Sequence, residues 1–221
     1  MKQKILMIVT SHNILGNTGK PTGFYLSELA HPYEALVDAG CEITVASPKG
    51  GDAPIDPTSI TPELEKFTPL AKNTRALHTI KPEDYDAYLV VGGHGTMWDL
   101  ASNVELNRIL PVAFLQGKVV AAVCHGPVAL THLKNPDGTF MIRNKEVTGF
   151  TNEEEYAAGL TKVMPFLLED ELIKAGATYL KKPNWTANVV VDGTLVTGQN
   201  PASAKGVGEA IVNLLCVEEV K

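Results

Sequence analysis

The sequence predicts an α/β protein built on a mostly parallel sheet that helices cover on both sides. Three observations carry this expectation. Short, nearly all-apolar runs rich in β-branched residues recur along the chain, as suits strands buried on both faces. Longer amphipathic stretches separate them, with apolar residues every three to four positions, as in helices that lie on a sheet. Glycines close several of those stretches, at Gly40, Gly117 and Gly176, where a helix end favours a residue free to adopt a left-handed conformation.

The elements follow in chain order. Ile5 to Thr10 reads as a first strand and residues 11 to 23 as a polar loop. Phe24 to Ala39 has helical spacing at Leu26, Leu29, Tyr33, Leu36 and Val37, and Glu42 to Ser47 is a second strand. Residues 49 to 60 form a Gly/Pro/Asp-rich loop, and Pro62 to Leu77 is helical or irregular. Tyr88 to Val91 is a third strand, ending in Gly92-Gly93-His94-Gly95, and Asn103 to Leu115 is a helix. Val119 to Val123 is a fourth strand running directly into Cys124, with a helix expected over Pro127 to Leu133. Val147 to Phe150 is a short strand, and Glu153 to Leu160 and Pro165 to Ala175 are helices. Thr178 to Leu180, Val189 to Val191 and Leu195 to Thr197 are strands, the last two joined by an Asp192-Gly193 turn. Ala202 to Leu215 is a closing helix.

No repeat, low-complexity tract or linker interrupts this pattern, so a single α/β domain over residues 1–221 is expected. With 44% hydrophobic and 20% charged residues the chain can build a substantial core. A net charge of -6 argues against a general nucleic-acid binder, which needs a basic face. No stretch reaches the roughly 20 apolar residues needed to span a bilayer, and the short N-terminal apolar run reads as a strand rather than a leader. Three cysteines, Cys41, Cys124 and Cys216, form neither a disulfide framework nor a Cys-x-x-Cys metal pair. A cytoplasmic location is the default expectation.

Cys124 is the leading candidate for chemistry. Reactive groups of parallel sheets collect at the carboxyl ends of strands, and Ala122 and Gly126 suit a sharp strand-to-helix turn, a nucleophile elbow. The amides opening the following helix would stabilise a thiolate or an oxyanion. An inert core cysteine is the plainer alternative; Cys41 and Cys216, with no histidine or glycine-rich loop beside them, read as structural. His125 adjoins the sulfur and could shuttle a proton. Such a histidine needs a carboxylate to orient it, and Glu153, Glu154 and Glu155 are the nearest dense source, although acids also favour a solvated helix start. The glycines of Gly92-Gly93-His94-Gly95 allow backbone amides to approach a ligand, which makes Gly93 and His94 candidates for binding; a loop histidine also suits plain solvation. The loop matches neither a Walker nor a dinucleotide fingerprint, so no nucleotide cofactor is expected. Glu28 lies on the first long helix; if it points inward its pKa rises and it can donate a hydrogen bond to the sulfur. Glu28 and His31 are three apart, a ligand-like spacing that two residues more often owe to a polar face, and no metal is expected.

Val-Cys-His-Gly-Pro, Gly-Gly-His-Gly, Gly-Phe-Tyr-Leu-Ser-Glu-Leu-Ala-His-Pro, Thr-Gly-Phe-Thr-Asn-Glu-Glu-Glu and Val-Thr-Gly-Gln-Asn-Pro-Ala-Ser occur together. In combination they resemble the PfpI-like branch of the class I glutamine amidotransferase-like superfamily, and within it the glutathione-independent glyoxalase III (heat-shock-protein-like) group. The resemblance implies a flavodoxin-like three-layer sandwich. It maps a nucleophile onto Cys124, a triad histidine onto His125, a triad acid onto Glu155 with Glu153 and Glu154 as alternatives, and a sulfur-facing glutamate onto Glu28. It places oxyanion amides near Gly93 and at His125. The implied reaction is cofactor-independent conversion of methylglyoxal to lactate through a Cys124 hemithioacetal, with Glu28 or His125 as the base, in a homodimer with a small aldehyde as substrate. Members of the group are also described as chaperones, protein deglycases or peptidases, so a chaperone or redox-sensing protein and a small-substrate peptidase or amidase remain alternatives. His132 is the last histidine, which excludes the distant His-x-Glu dyad of glutamine hydrolysis and a papain-like arrangement. Residues 11 to 23, 49 to 75 and 152 to 186 are the expected pocket walls.

Overall fold

A computed structural model describes residues 2–218. Its strands are β1 (Lys4–Ile8), β2 (Glu42–Ser47), β3 (Arg75–Ala76), β4 (Ala87–Val90), β5 (Val119–Val123), β6 (Glu146–Val147), β7 (Thr178–Tyr179), β8 (Val189–Asp192) and β9 (Leu195–Gly198). Its α-helices are α1 (Leu26–Asp38), α2 (Thr96–Asp99), α3 (Val104–Leu115), α4 (Asn152–Ala157), α5 (Leu168–Lys174) and α6 (Ala204–Glu218). Seven strands form one sheet in the order β3-β2-β1-β4-β5-β9-β8. Every pair is parallel except the β8–β9 hairpin.

The central strands explain why the sheet must be covered on both faces. Ile5 to Ile8 of β1, Ala87 to Val90 of β4 and Val119 to Val123 of β5 are buried throughout. Each large aliphatic side chain among them contributes roughly 1.5–3 kcal/mol by leaving water. From β1 the chain crosses to β2 on one side, and from β4 it crosses to β5 on the other. Right-handed crossovers therefore place α1 and α3 on opposite faces. Helix α6 packs on α1, and Gly208 makes the close approach possible: a Cβ there would lie 2.7 Å from the Pro32 Cα.

Because neighbouring β1 and β4 send the chain in opposite directions, a crevice opens at their carboxyl ends, where doubly wound sheets bind ligands. The Gly92-Gly93 loop follows β4, and Cys124 follows the adjoining β5.

Several expected elements differ. The helix expected over Pro127 to Leu133 is a 3₁₀ turn, Gly126–Leu130, closed by i to i+3 bonds such as Val128 N–H to His125 C=O, 3.0 Å. Pro62 to Leu77 contains only a 3₁₀ segment, Glu65–Ala71, with Pro69 inside it, followed by the edge strand β3. The strand expected over Val147 to Phe150 stops at Val147 and pairs with β7 outside the main sheet. Beyond it, Thr148 N–H donates to Thr197 Oγ1 (2.9 Å) and Phe150 N–H to the Cys124 carbonyl (2.8 Å). Those amides brace β9 and the end of β5 instead of continuing a ladder. Among the described residues no helix is long and apolar enough to cross a membrane.

Candidate active site

Cys124 leaves β5 with φ of 59°. A residue with a Cβ in this left-handed region costs about 1–2 kcal/mol, so the surroundings must hold it there. They do so at both ends of the residue: Cys124 N–H donates to the Gly198 carbonyl at 2.9 Å, and its carbonyl accepts from Phe150 at 2.8 Å. The sulfur points toward the backbone N–H groups of His125 and Gly93.

His125 Nδ1 lies 3.4 Å from Cys124 Sγ, and its Nε2 lies 2.7 Å from Glu155 Oε2. The other Glu155 oxygen, Oε1, meets His94 Nε2 at 3.1 Å. One carboxylate therefore bridges two imidazoles whose ring centroids are 4.3 Å apart. Burial acts to raise the Glu155 pKa, but the two imidazoles reverse this and hold it down at about 2. Burial and the neighbouring His94 push the His125 pKa down, against the pull of Glu155. Both directions describe one state: a carboxylate anion accepting Nε2–H from a neutral His125 ring. That hydrogen-bond network assigns His125 the tautomer whose Nδ1 is a free acceptor facing the thiol.

The three consecutive acids separate cleanly. Thr151 caps α4 and forms a capping box with Glu154: Thr151 Oγ1 accepts from Glu154 N–H at 2.9 Å, and Glu154 Oε2 accepts from Thr151 N–H at 3.0 Å. Buried Glu154 also accepts from Trp185 N–H (2.8 Å) and Asn200 Nδ2 (2.8 Å). Exposed Glu153 pairs with Lys181 at 3.2 Å. Successive helical residues are rotated by about 100°, so only Glu155 faces His125.

Glu28, in the first turn of α1, is fully buried against the elbow. Gly92 lies between them: a Cβ there would sit 2.4 Å from Glu28 Oε2 and 2.9 Å from Cys124 Cβ. Burial pushes Glu28 up to about 8, opposed by the Cys124 thiol and the Gly92 N–H. Neither Glu28 oxygen has a partner of regular hydrogen-bond geometry among the described residues, so those two contacts are weak and burial prevails. At neutral pH Glu28 keeps its proton. Burial, reinforced by any charge on Glu28, also pushes the Cys124 thiol well above its ordinary range, while the His125 and Gly93 amides pull it down.

The sulfur is therefore a resting thiol, not the amide-stabilised thiolate expected from the elbow. Cys124 is only 3% exposed, and the short 3₁₀ turn after it has little dipole to offer. It remains reachable, because it lines a cavity of about 190 Å³ with Tyr25, His94, Phe150 and Trp185. Of the expected walls only residues 152 to 186 contribute, through Ala158 and Trp185. The segments 11–23 and 49–75 instead support the start of α1: Thr22 Oγ1 donates to Asp56 (3.0 Å) and Leu26 N–H to Ser59 Oγ (2.9 Å).

Cys124, His125, Glu155, Glu28, Gly93 and His94 thus converge. Glu28 and His31 do not share a face: His31 lines a separate concavity of about 540 Å³ with Glu34, Lys205 and Glu209. Gly92, Tyr25 and Phe150 belong to the site although sequence reasoning singled out none of them. Gly92 stood in the loop already noted, and its tight contacts follow from the inward-pointing Glu28.

A family model described as the DJ-1/PfpI family matches residues 21–214. The chain is 33% identical to glyoxalase 3 of Candida albicans, over 95% of this chain and 97% of that protein. It is 30% identical to a glutathione-independent glyoxalase of Saccharomyces cerevisiae, over 91% and 93% of the two chains. The crystal structure of Candida albicans glyoxalase III superposes with a TM-score of 0.89 at 32% identity, covering 96% of this chain and 97% of that one. The 24 kDa rapid encystment protein of Francisella tularensis gives 0.90 at 39% identity, covering 96% and 99%. Since the match runs through the glycine loop, the elbow and the capped acidic turn alike, the chain belongs to the DJ-1/PfpI family.

Proposed function

We propose that this protein is a glutathione-independent glyoxalase that converts methylglyoxal and water to lactate at Cys124. The observation that carries this reading is the thiol–imidazole–carboxylate relay at a cavity of about 190 Å³, with protonated Glu28 behind the sulfur. The nearly full-length similarity to named glyoxalases supports it.

The residues divide the work as follows. His125 Nδ1 takes the thiol proton as Cys124 Sγ adds to the aldehyde carbon. The Gly93 and His125 amides stabilise the oxyanion that forms. His125 returns its proton to that oxygen and gives the hemithioacetal. It then takes the hydrogen from the former aldehyde carbon, because Glu28, still protonated at neutral pH, serves as donor rather than base. The hydroxyl proton on that carbon passes to the ketone oxygen, and His125 delivers the abstracted proton to the neighbouring carbon, which completes an internal redox shift and leaves a lactoyl thioester. Water cleaves the thioester and regenerates the thiol. The aldehyde carbon is oxidised and the ketone carbon reduced, so no external electron carrier enters. The small, aromatic-walled cavity suits a three-carbon aldehyde better than a peptide.

The test is incubation with methylglyoxal in glutathione-free buffer, with lactate measured by an enantiomer-specific assay. Lactate should form with the natural protein and fall to background in Cys124→Ala with the fold intact by circular dichroism. Equal turnover by both proteins would sink the proposal.

A further inference from the structure

We propose that His94, His125 and Glu155 form a binding site for a late first-row divalent ion such as Zn²⁺, and that filling it switches the Cys124 centre off. Nothing in the proposed reaction uses a metal. The three residues nevertheless offer two imidazole nitrogens and a carboxylate oxygen, all within 4.8 Å of one another. Zinc bonds of about 2.0–2.2 Å to N and O ligands in a tetrahedral site fit a cluster of that size after small side-chain movements. Two imidazoles with one carboxylate favour zinc, copper, nickel or cobalt over calcium or magnesium, which prefer oxygen ligands alone.

The ligand set is anchored by separate elements: His94 follows β4, His125 follows β5, and Glu155 lies on the capped α4. Both histidines line the cavity of about 190 Å³, which leaves room for a water in the fourth position. Sulfur is not part of the site. Cys124 Sγ lies on the Nδ1 side of His125, whereas the ion would bind Nε2.

Inhibition follows from the tautomer. The resting His125 carries its proton on Nε2 and offers Nδ1 to the thiol. An ion bound at Nε2 forces the remaining ring proton onto Nδ1, so the ring can no longer accept from Cys124. Glu155, drawn to the ion, no longer orients the base. A single binding event thus removes both functions of the relay without touching the sulfur.

Binding can be read without turnover. The full-length protein, stripped with a chelator and kept reduced, is titrated with Co²⁺, whose visible bands report its ligands, and Co²⁺ is then displaced with Zn²⁺. One equivalent should bind without a near-ultraviolet sulfur-to-cobalt band, and Cys124→Ala should bind as tightly as the natural protein. His94→Gln and Glu155→Gln, checked for folding by circular dichroism, should each weaken binding by roughly tenfold or more. One equivalent of Zn²⁺ should also abolish lactate formation, and chelator should restore it. Absence of binding at micromolar ion, binding unaffected by both substitutions, a sulfur band that disappears in Cys124→Ala, or full lactate formation by the zinc-loaded protein would each overturn the proposal. Because the optical titration needs no substrate, it stands or falls separately from the glyoxalase reading.

Discussion

Replacing Glu28 by Gln should stabilise the protein increasingly as the pH rises. The carboxyl is fully buried and its pKa is pushed from an ordinary 4.5 up to about 8. A raised folded-state pKa means that the native state favours the protonated form. The stability this group contributes is complete below about 4.5, and it is lost as the pH climbs toward about 8. At about 1.4 kcal/mol per pH unit, the roughly 2.5 units between 4.5 and 7 correspond to about 3 kcal/mol, with saturation near 5 kcal/mol above pH 8. Glutamine keeps the shape and cannot ionise, so it escapes this loss. Its amide adds a constant offset, and the slope of the difference with pH is therefore the quantity to read. Cys124 stays a thiol across this window and does not add to the slope. Urea unfolding of both proteins at matched concentration, from mildly acidic to mildly alkaline pH, gives the difference directly. A flat difference would refute the reasoning, because it would mean that Glu28 ionises in the folded protein as it does in water.

Two further substitutions probe how the site is supported. Gly92→Ala places a methyl 2.4 Å from both Glu28 Oε2 and the Val123 carbonyl; it should cost about 1–3 kcal/mol in urea unfolding and lower kcat for lactate formation more than it changes KM. Glu154→Leu removes the carboxylate oxygen that gathers Trp185 and Asn200 and leaves those donors unpaired. In a Trp98→Phe background it should shift the emission of Trp185 and cost roughly 2–4 kcal/mol; unchanged emission would show that Glu154 does not hold the cavity wall.

The strands were legible because they are buried on both faces: a run such as Val119 to Val123 has no polar face to blur its limits. The elbow was legible for the same reason, since such a run ending in Cys124 fixes where the sulfur must emerge. The family resemblance favours Glu155 and leaves Glu153 and Glu154 as alternatives, yet the local sequence carries a signal that separates them. Thr151 followed three positions later by Glu154 is a capping box, which assigns Glu154 to the helix start and turns Glu155 toward the core. The 3₁₀ turn after Cys124 was obscured because Val128, Ala129 and Leu130 have ordinary helical character. At its start Gly126 packs so closely that a Cβ would sit 2.3 Å from the Val90 carbonyl, a contact that only the folded structure reveals. The cavity was least visible. Tyr25, Phe150, Trp185 and Pro201 come from four distant segments, and only tertiary packing brings them together.

The double clamp on the Cys124 backbone makes the position of the sulfur depend on the packing of the sheet around it. The residue is tied to the end of β9 through Gly198 and to the segment entering α4 through Phe150. A fluctuation that let the strained peptide relax would have to break both ties. On the proposed mechanism, substitutions deep in the sheet, far from any substrate, therefore silence turnover before they melt the protein, by letting the sulfur swing away from its imidazole.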